Sequence, residues 1–180
     1  GAEKNRFVPH AKVEALLAKS GIPTTLLRCG FFMQNLSSTH HRQDIVEKDD
    51  IFIPAGQGKT AFIDVRDIAA VAAKTLTEPG HTGKAYPLTG SEALDYGTVA
   101  KLLSATLNRS IGYSQPHFLR FAWRLWRRGF PLSYVVVVTA IYLTTRFGLA
   151  ETVTPDTAVL LNRPTITMQQ FINDYTPVWQ

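Results

Sequence analysis

The sequence predicts an α/β fold, and three segments carry this prediction. Residues 10–19 place apolar side chains at helical spacing, a stop signal follows at Gly21, and residues 24–27 form a short β-rich run. A helix, a tight glycine turn and a buried strand make up the second half of a βαβ unit. A helix that has Asp67 at its cap or in its first turn, followed by a strand over residues 84–89, repeats this alternation.

The other segments complete the predicted order of elements. Residues 31–50 are mostly polar, and we expect a short helix within a long loop there. Shorter elements are expected as a strand at 51–53, a turn at 54–58, a strand at 61–63, a helix from 95–97 onward and a strand at 111–113. Apolar helices are expected at 118–126 and 134–143, and a last helix at 166–175 with Thr165 as its cap. The four consecutive valines leave a strand open as the alternative for 134–143.

The composition is that of a globular protein with a sizeable core. Of the 180 residues, 45% are hydrophobic and 18% are charged. A single cysteine, Cys29, excludes an internal disulfide framework and favours a reducing compartment, and no apolar signal segment follows the polar first residues. We therefore expect a cytoplasmic protein. A membrane span needs about 20 apolar residues, so the run at 134–143, bounded by Arg128 and Arg146, predicts a buried helix and no span.

Two polar motifs suggest ligand sites that the spacing does not support. The run Gly58-Lys59-Thr60 is similar to the tail of a phosphate-binding P-loop, but Ile53 occupies the position of the required first glycine. The adjacent histidines His40 and His41, with Asp44, point in different directions on a helix and lack a further ligand at metal-site spacing. We therefore expect surface histidines and no metal.

The net charge of +5 includes a basic cluster formed by Arg120, Arg124, Arg127 and Arg128. Such a cluster attracts nucleic acid or anionic membranes in some proteins, but it more often covers a solvated helix face. We favour the solvated face, and we expect no nucleic-acid partner.

The segment from Arg28 to Asn35 is the most informative candidate for a binding site. It directly follows the buried strand, and ligands of open α/β sheets bind beyond the carboxyl ends of the strands. Gly30 permits close backbone approach, Phe31 and Phe32 can wall an aromatic ring, and Asn35 can bind an amide. The alternative, which the residues alone favour, is that these aromatic side chains and Met33 only fill the core.

The start of the first helix offers a second set of candidates. His10 and Glu14 lie on one helix face, whereas Lys12 points elsewhere. The ammonium group of Lys12 could orient a cofactor ribose or a substrate carbonyl. A solvated helix face explains the same residues equally well.

Several ordered motifs together resemble the NmrA-like NAD(P)-binding proteins, a group of atypical short-chain reductases. The motifs are FVPHAKVE at 7–14, SGIPTTLLR at 20–28, GFFMQN at 30–35, FIDVRDIA at 62–69 and KAYPLTG at 84–90. Cys29 stands where the family usually has proline, and the Tyr-x-x-x-Lys pair of ordinary short-chain reductases is absent. The family's amino-terminal half, with its glycine-rich phosphate loop, would precede Gly1, so we expect this chain to be a carboxy-terminal portion.

The resemblance implies a partial Rossmann-like sheet with a mostly helical carboxy-terminal segment on the substrate side. Residues 1–115 would be the carboxy-terminal part of the NAD(P)-binding domain, and residues 116–180 would pack on it. The cofactor would be NADP or NAD, with NADP slightly favoured. The implied site residues are Arg28, Gly30, Phe31 and Phe32 for the cofactor, His10 and Lys12 for catalysis, and Met33 and Asn35 for the substrate.

Three functional hypotheses follow from the resemblance. The intact protein would be an NAD(P)H-dependent oxidoreductase acting on a small carbonyl or quinone-like substrate, in which the cofactor carries the hydride. Alternatively, it would be a non-catalytic redox sensor that binds NAD(P), or a fragment without activity of its own. The substrate is expected to be a small molecule, and the sequence leaves the oligomeric state open.

Overall fold

A computed structural model describes residues 9–180 of the chain, so Phe7 and Val8 of the first motif lie outside the described residues. The helices of this part are α1 (Pro9–Lys19), α2 (Asn35–Ser38), α3 (His40–Lys48), α4 (Val65–Thr77), α5 (Tyr96–Leu107), α6 (Phe118–Arg127), α7 (Leu132–Arg146), α8 (Asp156–Leu161) and α9 (Met168–Tyr175). The strands are β1 (Leu26–Cys29), β2 (Phe31–Phe32), β3 (Asp50–Phe52), β4 (Lys59–Ile63), β5 (Ala85–Leu88), β6 (Ala93–Asp95) and β7 (Gly112–Ser114). A 3₁₀ turn, Thr176–Val178, follows α9.

Helix α1 and strand β1 confirm the helix–turn–strand unit that the sequence predicts. Gly21 after α1 has φ of +71°, a left-handed conformation that glycine adopts without steric cost. Strand β1 begins and ends two residues later than expected, at 26–29, because its parallel partner β5 pairs Leu26 with Ala85 and Cys29 with Leu88. The partner strand therefore sets the limits of β1. The local sequence around residues 24–29 does not indicate these limits.

Gly30 is the point at which the chain passes from one strand partner to another. Its N–H donates to the Leu88 carbonyl at 2.9 Å, which continues the β1–β5 ladder. Directly afterwards, Phe31 and Phe32 of β2 pair in parallel with Phe62 and Ile63 of β4. A Cβ atom on Gly30 would lie 2.9 Å from the Ala61 carbonyl oxygen, so only glycine fits without a shift of the backbone.

Substituting Gly30 with alanine is expected to lower the free energy of unfolding by about 1–3 kcal/mol, the usual cost of forcing atoms into a packed site. Urea denaturation of the Gly30→Ala variant measures this change. Lys84→Ala, at an exposed position beside β5, is the control and should stay within about 0.5 kcal/mol of the parent chain. Equal stabilities of the two variants would contradict the crowding at Gly30.

The remaining strands extend the structure in two directions. Strand β6 pairs with β4 in the antiparallel direction, and β3 pairs with β7 in the parallel direction, from Asp50–Gly112 to Phe52–Ser114. Strand β6 and helix α8 were not predicted from the sequence. The prediction for residues 31–50 was wrong in detail, because this stretch holds the short strand β2 and two helices, α2 and α3.

The helix caps confirm the first-turn alternative for Asp67 in α4 and correct the predicted cap of α9. Asp64, not Asp67, caps α4, since its carboxylate accepts the backbone N–H of Arg66 at 2.8 Å. Asp67 lies buried in the first turn, where it accepts the backbone N–H of Ile166 at 2.8 Å. Helix α9 starts at Met168 behind Thr167, which forms a reciprocal capping box with Gln170 and replaces the expected cap Thr165.

One large hydrophobic core joins the strands to the carboxy-terminal helices. It includes Ile51 of β3, Leu125 of α6, Phe171 of α9 and the fully buried Trp179 near the carboxyl end. The valine-rich stretch is helical, which decides between the helix and the strand that its sequence left open. Within residues 9–180, no helix is both long and apolar enough to cross a membrane.

Candidate active site

The segment 30–35 turns away from the sheet at the carboxyl ends of β1 and β2, and β4 anchors it there. The backbone N–H of Met33 donates to the Ile63 carbonyl at 2.9 Å. The side-chain oxygen of Gln34 accepts the backbone N–H of Val65 at 3.0 Å, which joins the segment to the start of α4. These bonds fix the backbone at the edge of a parallel sheet where α/β proteins bind ligands.

The candidate residues of this segment differ in their access to solvent. The Phe32 side chain is 39% exposed, whereas Phe31 and Asn35 are half-buried. The Phe31 ring faces inward, with its centroid 6.1 Å from that of Tyr142. Met33 is only 3% exposed and packs in the core, so it supports the surface of the segment from below. Phe32 therefore presents the accessible apolar face at this edge.

A bidentate ion pair joins the candidates on α1 to those on the strand. The Arg28 guanidinium donates to the two carboxylate oxygens of Glu14 at 3.0 and 2.7 Å. The short connection over residues 20–25 makes α1 and β1 run in opposite directions. His10 lies one helical turn before Glu14, which is about 6 Å along the helix axis. This length is roughly that of the strand from Arg28 to Gly30. The side chains of His10 and Lys12 are exposed on this helix.

The expectation that His40 and His41 are surface histidines was wrong. They are only 6% and 2% exposed, because helix α3 packs beneath α6 and α7. The Nδ1 atom of His40 lies 3.2 Å from the Tyr134 hydroxyl, and His41 Nε2 is hydrogen-bonded to the Tyr142 hydroxyl. Burial lowers the pKa of His40 to about 4, although nearby Asp44 opposes this shift, and it lowers the pKa of His41 well below its usual value.

Asp44 is the anchor of part of the basic cluster on α6. Its carboxylate is 1% exposed and accepts a bidentate pair of hydrogen bonds from Arg128, at 2.7 and 3.1 Å. It also accepts a hydrogen bond from Arg124 at 2.9 Å. The expectation of a fully solvated basic face is therefore corrected for these two arginines, which join α6 to α3. Among the described residues, no group of three or more His, Cys, Asp or Glu side chains is placed to bind a metal ion.

A cleft of about 270 Å³ lies elsewhere, beside β3, the carboxyl end of β7 and α6. The guanidinium carbon of Arg124 is 3.4 Å from the centre of the Phe52 ring, and that of Arg120 is 5.9 Å from it. None of the cofactor, catalytic or substrate residues that the family resemblance implies lines this cleft. Its walls are Asp50, Phe52, Ser114, Gln115, Pro116, Arg120 and Arg124.

Comparison with known families supports the resemblance carried by the sequence motifs. A family model described as the NmrA-like family matches residues 2–150. The chain belongs to the NmrA-like family. Its motifs at Gly30–Asn35 and at Phe62–Ala69 thus meet at one edge of an NmrA-like sheet, through the Met33–Ile63 and Gln34–Val65 hydrogen bonds.

The relatives of this NmrA-like chain include reductases and dehydrogenases. It is 48% identical over 95 residues to the NAD(P)H azoreductase of Xenophilus azovorans, covering 53% of this chain and 32% of that protein. It is 30% identical over 172 residues to the agroclavine dehydrogenase of Claviceps fusiformis, covering 94% and 58%. The chain therefore spans between one third and three fifths of the length of these relatives.

A solved structure confirms the α/β, Rossmann-like fold of this NmrA-like chain. The NADPH-dependent quinone oxidoreductase QOR2 of Escherichia coli, complexed with NADPH, superposes with a TM-score of 0.84 at 27% identity. The superposition covers 95% of this chain and 59% of the other.

The NmrA-like motifs give no sign of the buried polar groups that the structure reveals. His40, His41 and Asp44 have their partners 80 to 101 residues away, on α6 and α7. One sequence signal could have indicated the Asp44 pair, since Arg124 and Arg128 are four residues apart and share one helix face. The histidines have no comparable local signal.

Proposed function

We propose that this chain forms the nicotinamide- and substrate-facing wall of an NAD(P)H-dependent oxidoreductase that reduces a small carbonyl or quinone-like molecule. The observation that carries the proposal is the position of Gly30–Asn35 at the carboxyl ends of β1 and β2, with the Phe32 ring open to solvent. The similar proteins, an azoreductase, a dehydrogenase and a quinone oxidoreductase, support a reductase over a non-catalytic sensor.

The chemistry of this edge fits the nicotinamide end of the cofactor. Phe32 offers an exposed apolar ring, and the half-buried amide of Asn35 can donate to and accept from a carboxamide or a substrate oxygen. The residues that the structure describes contain no glycine-rich phosphate loop, so we assign them no role toward the pyrophosphate. When bound, the cofactor supplies the hydride. We favour NADPH over NADH because the similar quinone oxidoreductase is complexed with NADPH.

Each candidate side chain has a distinct role in this proposal. Gly30 lets the strands approach closely enough to hold Phe31 and Phe32 in place, and Arg28 fixes α1 through Glu14. We assign His10 and Lys12 to the substrate side on two different faces of α1, and the Lys12 ammonium can donate a hydrogen bond or a proton to the oxygen that gains charge. Met33 and Asn35 shape the substrate side of the pocket. We place this chemistry in the cytoplasm, in keeping with the single free cysteine.

The test is NADPH oxidation by the full-length protein with a panel of soluble quinones, azo dyes and small carbonyl compounds. We expect turnover with at least one class, and Lys12→Met should lower kcat by about a hundredfold, the usual size of a general-acid contribution. Lys19→Met is the matched control, because Lys19 is also exposed but lies at the opposite end of α1.

Two results would contradict the proposal in different ways. Tight NADPH binding without turnover across the whole panel would favour the sensor. Turnover that Lys12→Met and Lys19→Met leave unchanged would support the oxidoreductase but remove Lys12 from its chemistry.

A further inference from the structure

The outer side of α6 and α7 exposes a set of large apolar side chains. On α6, Leu119, Trp123 and Trp126 are 63%, 55% and 60% exposed, and their spacing of four and three residues aligns them in one stripe. Helix α7 packs beside α6 and adds Val136, Val137 and Ile141, of which the two valines are 59% and 56% exposed. We call these six side chains the α6–α7 face.

The sequence segment that carries the α6–α7 face has charges of a single sign. Between Asp95 and Glu151 the sequence contains no acidic residue. Helix α7 has no charged residue before Arg146, so its outer side offers only apolar and hydroxyl groups over about 20 Å. The basic residues of the acid-free segment are Lys101, Arg109, Arg120, Arg124, Arg127, Arg128 and Arg146.

Two of the arginines border the apolar stripe. Arg120 and Arg127 are both exposed, and each directly follows a residue of the stripe in sequence. Arg124 and Arg128, in contrast, point inward to Asp44. The guanidinium carbon of Arg127 is 4.9 Å from the centre of the Trp123 ring. Tryptophan, leucine and arginine on adjoining sides of one helix are typical of helices that lie in a membrane interface.

We propose that the α6–α7 face docks on the surface of an anionic lipid bilayer. Trp123 and Trp126 enter the headgroup region, where amphipathic rings are favoured, and Leu119 and the α7 valines reach the acyl boundary. Arg120 and Arg127 bind lipid phosphates. Helix α7 has 15 residues and is about 22 Å long, shorter than the roughly 30 Å hydrocarbon core, so it lies along the surface. This inference does not rest on the proposed enzymatic function.

Charge decides between a lipid surface and a second copy of the chain. In a two-fold dimer the same patch contacts itself, so two sets of like-charged arginines from this acid-free segment would face each other. An anionic membrane supplies the missing negative charge, and each arginine near such a surface strengthens binding roughly fivefold. The charge pattern therefore favours lipid over self-association.

Vesicle co-sedimentation and tryptophan fluorescence test this inference. We expect the full-length protein to sediment with phosphatidylcholine vesicles that contain roughly a third phosphatidylglycerol, and to bind much more weakly to pure phosphatidylcholine or at high salt. Of the three tryptophans, Trp179 is fully buried and Trp123 and Trp126 are exposed, so vesicle binding should shift the emission to shorter wavelength.

Surface variants show whether the α6–α7 face is responsible. Trp123→Ala with Trp126→Ala should weaken vesicle binding at least tenfold and remove the emission shift, and Arg120→Gln with Arg127→Gln should weaken it about twentyfold. Val159→Ser, at a 72% exposed position on α8, is the control and should bind as the parent does. The far-ultraviolet spectra of all variants should match, because each replaced side chain is on the surface.

Two outcomes would overturn the inference. One is a protein that fails to sediment with the anionic vesicles. The other is a dimer in solution that the double tryptophan variant dissociates, which would show that a second copy covers the α6–α7 face.

Discussion

Replacing Asp44 with alanine is expected to lower the free energy of unfolding by about 3–5 kcal/mol, the usual cost of breaking a buried ion pair. The Asp44 carboxylate is 1% exposed and accepts three hydrogen bonds, from Arg124 and Arg128. Its loss leaves two guanidinium groups facing one another at the α3–α6 contact. Urea denaturation, followed by circular dichroism, measures the change.

Asp174→Ala provides the matched control for Asp44→Ala. Asp174 also pairs with an arginine, Arg66, at 2.6 Å, but the two side chains are 50% and 40% exposed. Exposed ion pairs contribute at most about 1 kcal/mol because water and salt screen them. Asp44→Asn should lie between the two alanine variants, since it keeps the shape and loses the charge. Similar losses for Asp44→Ala and Asp174→Ala would contradict the assignment of Asp44 as the anchor of α6.

Local signals account for the parts of the fold that the sequence predicts well. Helix α1 is defined by its own apolar spacing and by the stop at Gly21, and both lie within one continuous segment. The motif at 30–35 follows a strand directly, so its place at the carboxyl end of the sheet follows from chain order. The α/β class and the NmrA-like family were predicted from such ordered local pieces, and both are confirmed.

Long-range pairing explains what the sequence does not predict. The limits of β1 depend on β5, nearly 60 residues later, and the burial of His41 depends on Tyr142, which is 101 residues away. No periodicity within 31–50 indicates that Tyr142 packs on His41, so a buried polar helix such as α3 has the same sequence pattern as a solvated one. The same reasoning applies to the candidate site. Sequence order indicates which residues reach the sheet edge, but the structure is needed to show that Phe32 is exposed and Met33 is buried.

Acidification from pH 6.5 to pH 4 is expected to destabilise the protein progressively, because His40 and His41 are buried in the neutral form. An unfolded histidine binds a proton near pH 6.5, whereas the pKa of folded His40 is about 4 and that of His41 is also lowered. Below pH 6.5 the unfolded chain therefore binds more protons than the folded chain, so stability falls as the pH falls. His40 alone accounts for roughly 3 kcal/mol across this window.

Urea denaturation at a series of pH values between 8 and about 4 measures this loss. The carboxylates of Asp64 and Asp95 also have lowered pKa values, through hydrogen bonds that oppose their burial, but their contribution is lost only below about pH 4. The histidine window is therefore separate from theirs. His40→Gln should remove the His40 part of the slope, whereas His117→Gln, at an exposed position, should keep it. A His40→Gln variant with the parent's full slope would show that His40 takes up its proton equally in the folded and unfolded chains.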